Sequence, residues 1–191
     1  SFTNSGSFTL QTTLVNQGAI TNNGTIDATN GTLQTGGTFD NNQTLTTKSL
    51  TINASSNFTN NYGATLNITG AAGVLVMNGN FTNNGAVNAS GTMTVSGIFN
   101  NNVTLNVAAA TVLTVNAGAQ LTNAGTLDNS GFVQNYGTFT NGQTFINKGE
   151  ANNFATFNNN NLVDNRTGAS FFNRPGGTLG MGYGSKILNA G

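Results

Sequence analysis

The stretch Leu121-Thr-Asn-Ala-Gly-Thr-Leu127-Asp-Asn-Ser-Gly-Phe-Val133-Gln-Asn-Tyr-Gly-Thr-Phe139-Thr-Asn141 repeats one pattern every six residues: an apolar residue, then Asn two positions on, then Gly in most units. The register runs from Val115 through Leu121, Leu127, Val133, Phe139, Phe145, Ala151 and Phe157 to Val163. From Leu121 onward every unit carries its Asn: Asn123, Asn129, Asn135, Asn141, Asn147, Asn153, Asn159 and Asn165. Six is no multiple of the helical period. It is three strand repeats of two, so positions one, three and five of the unit share one side of an extended chain. Thr and the apolar residues favour strands, whereas Asn and Gly accept the sharp corners between them. A strand plus corner of this length cannot bury a core alone; it must stack on copies of itself, which predicts a solenoid.

Working outward, the same unit opens the chain at Phe2, Phe8, Leu14, Ile20 and Ile26, takes one step of seven to Leu33, and resumes at Phe39 and Leu45. A further run is Phe81, Val87, Met93, Phe99 and Leu105. Between runs the spacing drifts and a denser motif appears, as in Leu50-Thr-Ile52, Leu66-Asn-Ile68, Leu75-Val-Met77, Met93-Thr-Val95 and Leu113-Thr-Val115. Three units per coil predict a roughly triangular section of about 18–20 residues, hence roughly ten coils over about 50 Å. Two units per coil would leave a thinner core, less able to hold Phe. The fold expected is all-β, a single parallel β-solenoid over residues 1–166, with a Gly-rich segment 167–191 as a C-terminal cap or assembly segment.

With three units per coil, Leu121, Phe139 and Phe157 stack in one column, and Leu127, Phe145 and Val163 in a second. Asn123, Asn141 and Asn159 form a matching ladder, as do Asn129, Asn147 and Asn165, each amide bonding to the next about 4.8 Å away. Such a ladder removes the cost of burying an amide.

The strings Ile20-Thr-Asn-Asn-Gly-Thr-Ile-Asp-Ala-Thr-Asn-Gly-Thr-Leu33 and Leu121-Thr-Asn-Ala-Gly-Thr-Leu-Asp-Asn-Ser-Gly131 resemble the repeats of filamentous-haemagglutinin-like and autotransporter-type adhesins. The resemblance covers about residues 2–165. It implies a right-handed parallel β-helix, secretion, and a role in adhesion or surface-fibre building. A uniform six-residue unit is also found in left-handed β-helices, so both hands stay open.

Composition narrows the function classes. The 191 residues include 36 Asn, 31 Thr and 26 Gly, but only five Lys+Arg and five Asp+Glu, with net charge zero. That balance gives no electrostatic basis for nucleic-acid binding. No Cys and no His are present, which excludes disulfides and Cys/His metal sites. The most apolar windows, Gly73–Met77 and Val107–Val115, are far too short to cross a membrane. The chain starts at Ser1 without a basic-apolar leader, so either a signal peptide has been removed or it is a fragment. The expected location is extracellular or at the cell surface.

No enzyme is expected, and no cofactor. Asp128 and Asp164 would share a column two rungs apart, the outer limit for an inverting carboxylate pair, but without a third acid or a His they read as surface residues. Lys148, Glu150, Asp164 and Arg166 form the one charge cluster, with Lys148 and Arg166 expected to stack as like charges between the two acids. Thr21, Thr59, Thr82, Thr122 and Thr140 share one outward position, the pattern of an ice-binding face, but other residue types intrude. Ten Asn-x-Ser/Thr sequons occur, a number that composition explains. The partners expected are copies of the chain itself, with Phe2, Phe171, Phe172, Arg174 and Tyr183 as candidate assembly contacts. The alternative is a glycan- or host-surface-binding solenoid using Tyr62, Tyr136 and Tyr183 as stacking platforms.

Overall fold

A computed structural model of the chain describes residues 1–190. Among these residues there is no helix; short parallel strands wind into a β-solenoid of about nine coils. Three faces follow each other around every coil. The first is a sheet of ten strands. Its inward residues stack in register from Phe2 through Ile20, Phe39, Phe58, Phe81, Phe99, Leu121, Phe139 and Phe157 to Leu179. The second face aligns Leu66, Val87, Leu105, Leu127, Phe145 and Val163, and the third Leu50, Leu75, Met93, Leu113, Val133 and Ala151. Two long strands, Thr25–Thr35 and Thr44–Ile52, run through the corner between the second and third faces and join them into one sheet.

Alternation within a strand decides what is inside. Most strands bury their second and fourth residues and leave the first and third at the surface. The second residue is apolar; the fourth is Asn throughout the first face up to Asn159. The side-chain core is therefore a set of apolar columns, including Phe39–Phe58–Phe81–Phe99 with ring centroids 4.8 to 5.1 Å apart.

Successive amides of the first-face ladder are separated by 18, 19 or as many as 23 residues. The variation is absorbed at corners. A tight corner follows Asn-x-Gly, and its Gly often has no room for a side chain: a Cβ on Gly149 would lie 2.0 Å from the Gly131 carbonyl one coil away. A wide corner instead closes a four-residue turn, as in Ala64 N–H to Asn61 C=O, Ala119 to Asn116 and Gly177 to Arg174. The third residue of most of these turns is left-handed: Gly63, Gly118, Gly168, Gly176 and Gly184, but also Ser55 and Ala110, at φ 64° and 62°. Pro175 before Gly176 is the standard type II pairing. A left-handed L-residue costs about 1–2 kcal/mol, part of which Gly returns as chain entropy. Ala110→Gly is accordingly expected to stabilise the protein by roughly 0.5–1 kcal/mol, and Gly118→Ala to destabilise it by a similar amount. Urea midpoints of the two variants check both signs.

Of residues 167–191, expected as a C-terminal cap or assembly segment, those described continue the stack as its last strands. Ser170–Asn173, Thr178–Met181 and Lys186–Asn189 pair in parallel register with the coil before them. The segment leaves the six-residue step because wide corners at Arg166–Ala169, Arg174–Gly177 and Gly182–Ser185 lengthen it.

Candidate functional site

The longest organised feature is a ladder of nine asparagines along the first face: Asn4, Asn22, Asn41, Asn60, Asn83, Asn101, Asn123, Asn141 and Asn159. From Asn4 to Asn141 each Nδ2 donates to the Oδ1 of the next coil at 2.7 to 2.9 Å, and the last rung, Asn159, donates instead to the Asn161 and Lys186 carbonyls because Met181 occupies the next slot. From Asn22 to Asn141 the amide also donates to a backbone carbonyl of that coil, as Asn123 does to Thr144 at 2.8 Å. Several Oδ1 atoms accept the N–H two residues on, as Asn83 does from Gly85, which explains the Asn-x-Gly spacing. The amides are thus buried with their hydrogen-bonding capacity used, and they lock coil register.

Shorter ladders run Asn129–Asn147–Asn165–Asn189 on the second face and Asn135–Asn153–Asn173 on the third. The middle coils put Ile68, Ala89 and Val107, or Ile52, Met77, Val95 and Val115, in the same slots. This is the denser motif of the sequence. Sequence periodicity located the ladder only from Asn123; among the earlier rungs the six-residue count is broken by the irregularity at Ala28/Thr32 and by wide corners such as Asn53–Ser56 and Asn61–Ala64.

The expected core columns come together. Leu121 pairs with Phe139 and Phe139 with Phe157; Leu127 pairs with Phe145 and Phe145 with Val163; all six are buried. The five candidate assembly contacts do not share a surface. Phe2 sits at the first coil, 39% exposed, over a recess of about 280 Å³ between Phe8, Leu14 and Ile20. Phe171 points inward at the opposite end, its ring 5.1 Å from Phe157. Phe172 and Arg174 lie together on the third face, the guanidinium carbon 4.3 Å above the ring. Tyr183 stands fully exposed on a wide corner.

The charge cluster is arranged differently from the sequence expectation. Lys148 takes Asp128, Arg166 takes Asp164 at 2.7 Å, and Glu150 faces Arg174 at 3.8 Å across the third face. Lys148 and Arg166 therefore each have their own acid, because the outward side chain one coil back or on the same strand end is closer than Glu150 around the corner. Asp128 and Asp164 do share a column, with Ile146 between them, and each carries its own cation. Asp27 accepts from the N–H and hydroxyl of Thr29, which hold it below the ordinary aspartate value of 3.8.

The outward Thr row of the first face is interrupted: Thr21 is followed by Asp40, and Thr82 by Asn100. Of the sequon asparagines Asn165 alone is buried, in its ladder; the others are at the surface. Tyr62, 90% exposed, borders a shallow recess with Asn84 and Val103. Tyr136 stacks on Phe154, centroids 4.6 Å apart and 8° from parallel.

Parallel coils, apolar columns and a continuous amide ladder define the class: an asparagine-laddered β-solenoid repeat protein. No protein-family model matches the chain, and no curated protein or solved structure matches it.

Proposed function

We propose that this chain is a secreted structural protein, a self-assembling segment of an extracellular filament, sheath or adhesin stalk. One observation carries the reading: an unbroken ladder from Asn4 to Asn159 ties nine of the ten described first-face strands into one rod, about 38 Å at ~4.8 Å per step. Residue types are spent on keeping that rod in register, and the described outer surface is dominated by Thr, Asn and small residues. The repeat strings that resemble filamentous-haemagglutinin-like and autotransporter-type adhesins support the same reading.

Assembly acts through the ends. Phe2, Leu179 and Ile187 are 36–39% exposed on the first and last described coils, and the recess beside Phe2 continues the line of the apolar columns. Unpaired strand edges accept further strands of matching section. Coils added there extend the apolar columns. Electron microscopy of the native secreted material is the test: fibres or stalks one solenoid wide are expected. Only isolated short particles, at high concentration, would overturn self-assembly.

A further inference from the structure

The third face carries a side-chain cluster unlike the rest of the surface. Asn152 is 6% exposed and connects two charged groups: its Nδ2 donates to Glu150 Oε1, and its Oδ1 accepts from Arg174 Nε at 2.6 Å. Glu150 and Arg174 are thereby held side by side, 3.8 Å apart, with carboxylate and guanidinium edges left toward solvent. Exposed rings surround them: Phe132 in register with Glu150, Phe172 in register with Asn152, and Tyr136 one coil away, each 40–41% exposed.

The geometry points to a binding site for a neutral glycan. A sugar ring offers C–H groups to an aromatic surface and pairs of hydroxyls at its rim; Phe132 and the exposed part of Phe172, whose ring also carries the Arg174 guanidinium, supply the first contact. A carboxylate accepts and a guanidinium donates two hydrogen bonds in one plane, which suits adjacent hydroxyls. The partner is uncharged because Glu150 and Arg174 neutralise each other, leaving no net field to draw an anion. A second protein copy is a poor occupant. Three coils by four residues cover on the order of 200 Å², whereas a stable interface takes about 800 Å² per partner. Asn152 is a positioning residue. This inference is independent of the fibre reading, since it needs neither assembly nor free ends.

Saturation-transfer NMR with maltotriose, cellotriose and N-acetylchitotriose at millimolar concentration, on the full chain, is the first experiment. At least one should bind, with transfer to aromatic resonances. Phe172→Ala and Glu150→Gln should each weaken that binding about ten-fold with circular dichroism and melting unchanged. Asn152→Ala should weaken it while Asn152→Asp, which keeps the Arg174 contact but repels Glu150, should not restore it. Retention of none of the three sugars would overturn the site. So would binding that survives Phe172→Ala and Glu150→Gln but is lost in Tyr62→Ala, which would place the glycan at the remote corner.

Discussion

Asn141→Asp is expected to destabilise the rod at neutral pH and to recover in acid. Asn141 Nδ2 donates to Asn159 Oδ1, Gln143 C=O and Leu162 C=O, while its Oδ1 accepts from Asn123 at 2.9 Å. An aspartate keeps the bond from Asn123 but turns its second oxygen toward three acceptors. A buried charge without a compensating donor costs roughly 3–5 kcal/mol. Protonation replaces that oxygen with a donor and relieves the clash, so the folded protein raises this carboxyl above its unfolded value of about 3.9. The folded state then binds the proton more tightly. Stability is fully retained below the unfolded pKa, falls as pH rises past it, and levels off above the folded pKa. Asn141→Leu serves as the comparison: it leaves the partners of all four bonds short, at about 1–3 kcal/mol for each group left unsatisfied, with no such pH dependence. Urea midpoints of both variants between pH about 3 and 8 separate the two patterns. An Asn141→Asp protein as stable as the parent at neutral pH would show that the ladder does not hold the coils.

Phe139→Ala should cost about 3–5 kcal/mol. The ring is fully buried, 4.8 Å from Phe157 and 5.5 Å from Phe145, with Leu121 on the coil before. Most cores relax partly around a deleted ring. Here the coils on either side are held at a fixed separation by backbone bonds and by the Asn123–Asn141–Asn159 amides, so the cavity stays open. Phe2→Ala is the contrasting substitution. Phe2 lies at the open first coil, more than a third exposed, and its loss should cost under about 1 kcal/mol. A small, equal effect at both positions would remove the apolar columns from the account of stability.

Much of this architecture was legible because the relevant physics is local and repetitive. Alternation of two within a step of six assigns Leu121, Leu127, Phe139, Phe145, Phe157 and Val163 to the interior, and the structure buries all of them. The ladder from Asn123 follows from the same count, since tight corners there keep the same number of residues in the two coils from Asn123 to Asn159, 18 at both steps. Where wide corners intervene, the count fails. Asn60 and Asn83 are adjacent rungs 23 residues apart, and no fixed period aligns them. The denser Leu-x-Ile motif looked like a break in the repeat. It is the same repeat with an apolar residue in the slot an amide occupies elsewhere.

The surface was less legible. Glu150 was expected among Lys148 and Arg166, and the structure gives it to Asn152 and Arg174. Reaching Arg174 from Glu150 crosses a coil containing a wide corner at Arg166–Ala169, so their proximity is invisible to any constant spacing. The five expected assembly residues likewise fall on opposite ends, on one face and on a corner, because outward positions carry no burial requirement that would reveal their neighbours.

By itself, then, the sequence determined that this chain winds into parallel coils, which side chains enter the core, and that buried asparagines hold the register. Those properties depend on alternation along a strand and on identical units lying over one another. Only the tertiary structure decided which distant outward groups meet, joining Phe132, Glu150, Asn152, Phe172 and Arg174 on one face. The reason is that each corner consumes its own number of residues, and the sum of those corners, not the repeat, sets who stands beside whom.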